Sequence, residues 1–337
     1  MLVLGIETSC DECSVAVVEN GRKILSNVIA TQIETHKPYS GVVPEIASRL
    51  HTEWIVGVYK QALVDAGIDQ SQLDAVAVTN RPGLVGSLLV GVGFAKSLAA
   101  TLGIPVIGID HIRAHLYAPQ LESEIAYPYL GLLVSGGHTM IAKVTSFDDF
   151  QVLGTTIDDA CGEAFDKVAK FYGLGYPGGV IIDKLSKEGD PKAFNFPKPS
   201  LHKGNNRYNV SYSGLKNAVT NQIDQFWNRE YEKTPANIAA SFQRTAVDIL
   251  LGRLKKAIQD TGLSTVVAGG GVAANSYLRQ RLESWPQVEA YYPSLTLCTD
   301  NGAMVGGIAY HYLERGDRDG ANLSAYSRVK AFRHTYP

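Results

Sequence analysis

His111 and His115 stand four residues apart in His-Ile-Arg-Ala-His. On a helix this spacing projects both imidazoles from one face, a turn apart, where they could share a metal ion. Two imidazoles leave a coordination sphere incomplete, and carboxylates are the natural remaining ligands. A pair of part-buried helix histidines without a metal satisfies the same spacing. A zinc-protease reading needs a glutamate directly after the first histidine to activate water. Position 112 is Ile, so that chemistry lacks its base.

Glycine turns at 136–137, 178–179 and 269–271 form the second group. Glycine permits close approach, so each turn could bring backbone N–H groups up to a phosphate or ribose. Asp166 and Asp183 flank the middle turn and Asn275 follows the last; these side chains could read a ribose or an adenine edge. One such turn alone is more often only a turn, but three within a repeated strand framework favour a nucleotide cleft. Asp11 and Glu12 sit at a strand end, where carboxylates can hold a metal or act as bases; solvated turn acids are the bland alternative. Cys10 and Cys13 have the spacing of a redox dithiol or half a zinc site, yet no second Cys pair and no thioredoxin-like unit accompany them. Two small residues in a tight turn explain them better. Lys192, Lys198, Lys203 and Arg207, interleaved with Phe194, Phe196 and Tyr208, have the composition of a nucleic-acid contact loop. A solvated insertion reads equally well.

The elements that must position these groups follow from hydrophobic periodicity. Strands are expected at 2–6, 14–18 and 23–29, with a polar turn over 7–12 and a hairpin signal at Asn20-Gly21. Trp54, Ile55, Val58, Tyr59, Ala62 and Leu63 mark an amphipathic helix over 52–66. A strand at 74–79, a small-residue helix at 86–100, a strand at 106–109 and a helix from His111 come next. The opening pattern then recurs: strand 129–134, turn Ser135-Gly136-Gly137-His138-Thr139, strands 140–144 and 151–156. This is an internal duplication of topology with little residue identity. A helix over 158–172 carries Asp158, Asp159, Glu163 and Asp166. Residues 186–214, rich in Pro, Lys, Asn and Gly, read as an insertion. A long helix over 238–258, a strand over 264–268, a helix from about 274 and a last helix after Asp300-Asn301-Gly302-Ala303 complete the chain.

At 337 residues the chain suits two lobes or one large domain with a deep cleft. Hydrophobic residues at 45% and charged residues at 19% exclude disorder and collagen-like repetition. Four cysteines, at 10, 13, 161 and 298, are too few for a disulfide framework and point to a reducing cytosol. The apolar run at 1–6 meets Glu7 at once, unlike a signal peptide, and no window approaches the 18 or more uncharged apolar residues of a bilayer span. With 31 basic and 33 acidic residues the formal charge is −2, which leaves no global footprint for nucleic acid. A polyanion would need a local patch or a partner's help.

Taken together, these stretches resemble the TsaD family, the tRNA adenosine threonylcarbamoyltransferases, formerly classed as O-sialoglycoprotein endopeptidases. The resemblance rests on Gly5-Ile6-Glu7-Thr8-Ser9-Cys10-Asp11-Glu12, Gly41-Val42-Val43-Pro44-Glu45 with Ala47-Ser48-Arg49, Pro82-Gly83-Leu84, the histidine pair, and Val134-Ser135-Gly136-Gly137-His138-Thr139. It continues through Asp158-Asp159, Gly162-Glu163-Ala164-Phe165-Asp166-Lys167, Tyr176-Pro177-Gly178-Gly179, Ser211 to Lys216, Gly270-Gly271-Val272 with Asn275, and Cys298-Thr299-Asp300-Asn301.

The resemblance runs from residue 2 to about 325. It implies an α/β, duplicated actin-like, sugar-kinase-like and chaperone-ATPase-like fold, two lobes around a nucleotide cleft. The expected division is lobe I at 1–110, with the segment from about 301–337 packing back on it, and lobe II at 111–300, with an inserted loop at about 186–214.

The implied activity is transfer of a threonylcarbamoyl group from threonylcarbamoyl-adenylate to the exocyclic amine of the adenosine 3′ of the anticodon, in tRNAs reading codons that begin with A. The resemblance further implies His111, His115 and Asp300 as ligands of one iron(II) per subunit, with zinc possible. An N/O donor set does not choose among iron, zinc and manganese. It places the adenylate against Val134, Ser135, Gly136, Gly137, His138, Asp166, Gly179, Asp183 and Asn275. Asp11 or Glu12 would accept the amine's proton, a role resting on their strand-end position alone.

Implied partners are tRNA, a degenerate TsaB-type paralogue of the same fold and a small TsaE-type P-loop ATPase, in the cytoplasm and away from membranes. Two rival readings are a small-molecule kinase of this fold and a nucleotide-switched, chaperone-like binding protein. Neither gives the histidine pair and Asp300 a joint task.

Overall fold

Leu2–Glu7 reads Leu-Val-Leu-Gly-Ile-Glu and is buried along nearly its whole length. An apolar run covered on both faces is what a central strand of a layered α/β sheet requires, and this segment, β1, is that strand. The structure is a computed structural model and describes residues 1–201 and 206–328. Its chain divides into two units, one of residues 1–126 with the described chain from Pro293 onward, the other Tyr127–Tyr292.

In the first unit, β2 (Glu12–Glu19) and β3 (Lys23–Thr31) follow β1 as an antiparallel meander. Asn20 at φ 51° and Gly21 at φ 75° make the left-handed turn between β2 and β3. β4 (Ala75–Arg81) and β5 (Val106–Asp110) extend the sheet in parallel on the other side of β1, in the order β3-β2-β1-β4-β5.

The second unit repeats this plan strand for strand. β6 (Tyr129–Val134), β7 (Thr139–Val144) and β8 (Phe150–Thr155) form the meander, and β9 (Thr265–Gly269) and β10 (Glu289–Tyr291) add in parallel, in the order β8-β7-β6-β9-β10. The duplication expected from the two turns therefore extends over whole five-stranded sheets. Among the described residues β10 is the one strand the periodicity did not foretell, because three residues, one exposed and two half-buried, carry no readable pattern.

Helices cover both faces of the first sheet. Leu4, Ile6, Val15, Val17, Val76 and Val78 pack against Ile55, Val58, Tyr59, Val92 and Ala95 of the helices Pro44–Ala66 and Val85–Leu102. The first of these helices starts eight residues before the expected position. Pro44 stands in its first turn, where a missing N–H costs nothing, and its opening turns bury only Ala47 and His51, too sparse a stripe to read. The second has the length and mean hydropathy of a membrane span. It nonetheless buries Ser87, Leu88, Gly91, Val92, Ala95 and Ala99, and Lys96 donates to the Leu323 carbonyl at 3.2 Å.

On the other face the helix Gly302–Glu314 lies directly on β1. A Cβ on Gly5 would stand 2.1 Å from the Gly302 carbonyl oxygen and 2.5 Å from the Gly306 nitrogen. Strand and helix thus meet backbone to backbone, which only glycines on both sides permit.

In the second unit the helix Pro235–Thr261 runs from a Thr234 side-chain cap to Gly262 at φ 72°. The helix expected over 158–172 is Cys161–Phe171, so Asp158 and Asp159 precede it. Both are engaged elsewhere. Asp158 accepts from the Ser211 hydroxyl, from the Tyr212 N–H at 2.7 Å, and from the Ser213 hydroxyl at 2.7 Å and N–H at 3.2 Å. Asp159 binds Lys167 at 2.7 Å and Lys216 at 2.8 Å.

The glycine- and lysine-rich stretch is thereby fastened to the sheet, where Val210 also bridges Thr156. Phe194 and Phe196 are buried and stacked on each other 5.4 Å apart, while Lys198 and Arg207 pair with Asp248 and Asp260. These two phenyl rings are core, not stacking platforms for bases. Lys203 of that loop lies outside the described residues, as do 329–337.

Candidate functional site

The helix His111–Tyr117 begins where β5 ends. Asp110 caps it, accepting from the Ile112 N–H at 2.9 Å and the Arg113 N–H at 3.3 Å. This short, firmly started helix places the two imidazoles 4.5 Å apart, nearly perpendicular and buried. Asp300 arrives from the residues just before the helix Gly302–Glu314, whose first turn Asn301 caps through the Met304 N–H. Its Oδ1 lies 3.0 Å from His115 Nε2 and 3.6 Å from His111 Nε2.

One ligand atom from each of the three residues falls within 4.8 Å of the others, the spread that one ion can bridge. Among the described residues this is the one such group. The N/O donor chemistry fits a divalent transition-metal ion.

Burial and the neighbouring carboxylates act on the two imidazoles in opposite directions. Burial pulls the His111 imidazole down, but Asp300 and Glu7 outweigh it and hold it up at about 9. Burial and the neighbouring His111 push His115 below its ordinary value.

Glu7, at the end of β1, was missed from the residue pattern. It is fully buried, and its Oε2 lies 3.0 Å from His111 Nδ1 and accepts from the Thr79 hydroxyl at 2.6 Å. Its Oε1 accepts from the Ser9 N–H at 2.6 Å, and the Ser9 hydroxyl lies 3.3 Å from His111 Nδ1. Burial pushes the Glu7 carboxyl up, and His111 more than offsets that, leaving it below the usual range. The available signal was a carboxylate closing an otherwise apolar strand.

Asp11 is buried and Glu12 half-buried at the start of β2. Burial, then Asp11 and Asp300, push the Glu12 carboxyl well above the usual range. All four cysteines are free thiols; Cys13 lies inside β2, not in the turn, and the Cys10 carbonyl accepts from His51 Nε2 at 2.9 Å.

The remaining predicted residues belong to the second unit. Val134 ends β6, and Ser135 to His138 turn the chain into β7, closed by Ser135 N–H to the His138 carbonyl at 2.8 Å and His138 N–H to the Ser135 hydroxyl at 3.1 Å. A Cβ on Gly136, Gly137 or Gly179 would meet nothing within 4 Å. Two other glycines press against this turn from behind. A Cβ on Gly162 would stand 2.7 Å from the Ser135 carbonyl oxygen, and one on Gly270 would stand 2.5 Å from that of Val134. The turn is thus held by backbone contact on one side and open on the other, the geometry of a loop that can receive a phosphate or ribose.

Asp166 Oδ1 accepts from the Gly178 N–H at 2.7 Å and so sets the start of the helix Gly178–Ser186. Asp183, on that helix, accepts through Oδ1 from the Ser276 N–H at 3.2 Å and hydroxyl at 2.8 Å. Asn275 caps the helix Ser276–Glu283 at the Leu278 N–H, 2.9 Å, and donates to Gln243 Oε1 at 2.8 Å. Gln243 in turn donates to the Ser186 hydroxyl at 2.8 Å. This buried glutamine was not foreseen; the polar residue inside an apolar helix face was the sign.

Comparisons with known proteins identify the family. The family model described as TsaD, tRNA N6-adenosine threonylcarbamoyltransferase, matches residues 23–307. A tRNA N6-adenosine threonylcarbamoyltransferase of Treponema denticola is 63% identical over 332 residues, 98% of each chain. One of Borreliella burgdorferi is 53% identical over 337 residues, 100% of this chain and 96% of that one.

Among solved structures, full-length HypF in its phosphate- and nucleotide-bound form gives a TM-score of 0.61 at 18% identity, over 93% of this chain and 46% of that one. The Acidaminococcus fermentans (R)-2-hydroxyglutaryl-CoA dehydratase component A gives 0.56 at 14%, over 94% and 100%. At such identities these two bear on the fold alone, which is the actin-like one. With a family match across most of the chain and relatives above half identity over all of it, the chain belongs to the TsaD family of tRNA N6-adenosine threonylcarbamoyltransferases.

Proposed function

We propose that this chain carries out threonylcarbamoyl transfer to tRNA adenosine with His111, His115 and Asp300 holding one divalent metal, iron(II) or in its stead zinc. The observation that carries this reading is the convergence of both Nε2 atoms on Asp300 Oδ1, at 3.0 and 3.6 Å. The bound ion would act as a Lewis acid toward phosphate or carbonyl oxygen of the threonylcarbamoyl-adenylate.

The other roles belong to side chains and backbone. Gly136, Gly137 and Gly179, where a Cβ would meet nothing, let the nucleotide come close to the backbone, with Val134, Ser135 and His138 completing the turn that holds the first two. Asp183 offers the carboxylate oxygen not taken by Ser276 to a ribose hydroxyl, while Asp166 and Asn275 hold the surrounding helices in place. In the transfer, the adenosine amine nitrogen bonds to the carbamoyl carbon and the carbon–oxygen bond to phosphate breaks. AMP leaves with that electron pair, and the amine proton passes to Asp11 or Glu12. Such a leaving group needs little activation, so positioning and charge neutralisation dominate. The target adenosine is splayed from its stack to reach the acyl group.

The formal charge of −2 supports sharing the tRNA with other subunits, for which we propose the TsaB-type paralogue and the TsaE-type ATPase in the cytoplasm. The test is nucleoside mass spectrometry of tRNA from cells depleted of this protein and complemented with wild type, His115→Ala, Asp11→Asn or Glu12→Gln. Threonylcarbamoyladenosine should return with wild type and stay absent with His115→Ala. Full restoration by His115→Ala would defeat the metal assignment, and full restoration by both carboxamide variants would remove Asp11 and Glu12 from proton transfer.

A further inference from the structure

A fully buried carboxylate is costly unless its oxygens are satisfied, and Glu7 satisfies both in a specific direction. Oε1 takes the Ser9 N–H, whereas Oε2 takes the Thr79 hydroxyl and faces His111 Nδ1 at 3.0 Å. An ionised carboxylate only accepts, so for the neutral, metal-binding imidazole it selects the His111 tautomer that carries its proton on Nδ1. That tautomer leaves the Nε2 lone pair directed toward Asp300 and His115. His115 has no comparable support: its Nδ1 is buried without a hydrogen-bond partner. The orientation of the pair is thus set from the His111 side.

Charge points the same way. Counting only the groups within hydrogen-bonding reach of the two imidazoles' nitrogens, a divalent cation with two neutral imidazoles, Asp300 and Glu7 sums to zero, and without Glu7 that count is positive. We propose that Glu7 is the positioning residue of the metal centre: it fixes the tautomer and ring plane of His111 and supplies the second negative charge that lets the group hold a divalent ion. The inference rests on the metal reading given above. Partners of this kind behind a metal-bound histidine are worth about 10- to 100-fold in affinity.

The test uses the full chain, stripped with chelator and titrated with Zn²⁺ alone against a competing indicator, beside Glu7→Gln and Thr79→Val. Urea unfolding of the metal-free proteins is measured in parallel, so that lost affinity is not confused with lost folding. Glu7→Gln should bind zinc about 10- to 100-fold more weakly. Thr79→Val removes a hydrogen bond to Glu7 without touching His111, and should weaken binding by about three- to tenfold. In the zinc-loaded wild type, long-range proton–nitrogen correlation spectra should show the His111 ring proton on Nδ1 and shifted downfield by the carboxylate.

A folded Glu7→Gln protein with wild-type zinc affinity would overturn the role. So would a His111 ring proton found elsewhere than Nδ1, a measurement on the wild type that stands even if Glu7→Gln fails to fold. If the wild type itself bound no zinc, the metal reading would fall, and the role of Glu7 with it; the first two results would remove Glu7 alone.

Discussion

Replacing Gly5 by alanine adds one methyl group in the middle of β1, and the structure says where it must go. Its position lies 2.1 Å from the Gly302 carbonyl oxygen, 2.5 Å from the Gly306 nitrogen and 2.9 Å from the Gly306 Cα, against ordinary contacts that begin near 3.4 Å. All three are backbone atoms, so no side chain can swing aside. The helix Gly302–Glu314 must retreat by about an ångström or more to restore van der Waals separation.

Alanine in a strand would otherwise gain about 0.5–1 kcal/mol over glycine. Overpacking costs about 1–3 kcal/mol and more where backbone must move, so the net effect is a loss of about 1–2 kcal/mol. A second effect follows from connectivity. Asp300 sits two residues before Gly302 and Glu7 two residues after Gly5, while metal–ligand distances tolerate only about 0.2 Å. Gly5→Ala should therefore lower the urea midpoint of the metal-free chain and weaken zinc binding by about tenfold or more. Both are read from denaturation and chelator competition on the same preparation. Wild-type stability together with wild-type zinc affinity would show that neither the close backbone contact nor its link to Asp300 is as described.

Two further outcomes follow from the second unit. Gly136→Ala places its methyl in open space and should leave thermal stability within about 0.5 kcal/mol of wild type, yet weaken AMP binding by about tenfold or more by blocking close approach. Gly162→Ala, whose methyl would strike the Ser135 carbonyl, should instead cost about 1–3 kcal/mol of stability; calorimetric titration and melting curves on the pair separate the two cases. For Asp158, burial pushes the carboxyl up, but the hydrogen bonds from Ser211, Tyr212 and Ser213 more than offset it, so its folded value lies below the ordinary one. A depressed carboxylate contributes stability above its unfolded value near pH 4, and that contribution is lost as pH falls through the folded value. Asp158→Asn should accordingly lose about 1–2 kcal/mol at pH 7, and the gap in urea unfolding should narrow from about pH 4 downward; a gap independent of pH would refute the assignment.

What was legible in the sequence is what periodicity and spacing report directly. The apolar runs at 2–6 and 129–134 and the turns that follow them disclosed the duplicated meander, because an alternating or fully buried strand and its turn are local signals. The four-residue interval between His111 and His115 disclosed a shared helix face for the same reason. Asp300 came only from family resemblance, since nothing local ties it to residues far away in sequence. Glu7 was overlooked because its worth lies in contacts to Thr79 and His111, which strand pairing and a helix start bring together. Gln243 and the anchoring of Ser211–Ser213 by Asp158 were hidden likewise, their partners being fixed by tertiary packing and not by interval.

The two sheets share one strand order, yet their first turns have diverged in kind. Around the turn after β1 stand three acids, Glu7, Asp11 and Glu12, while the turn after β6, Ser135-Gly136-Gly137-His138, has none. A repeated scaffold of this sort lets each copy drift under its own selective constraint: one can be tuned for the charge it presents, the other for the room it leaves. On the reading proposed above, ion preference and nucleotide preference would then be separately tunable traits, each carried on its own copy of one strand order.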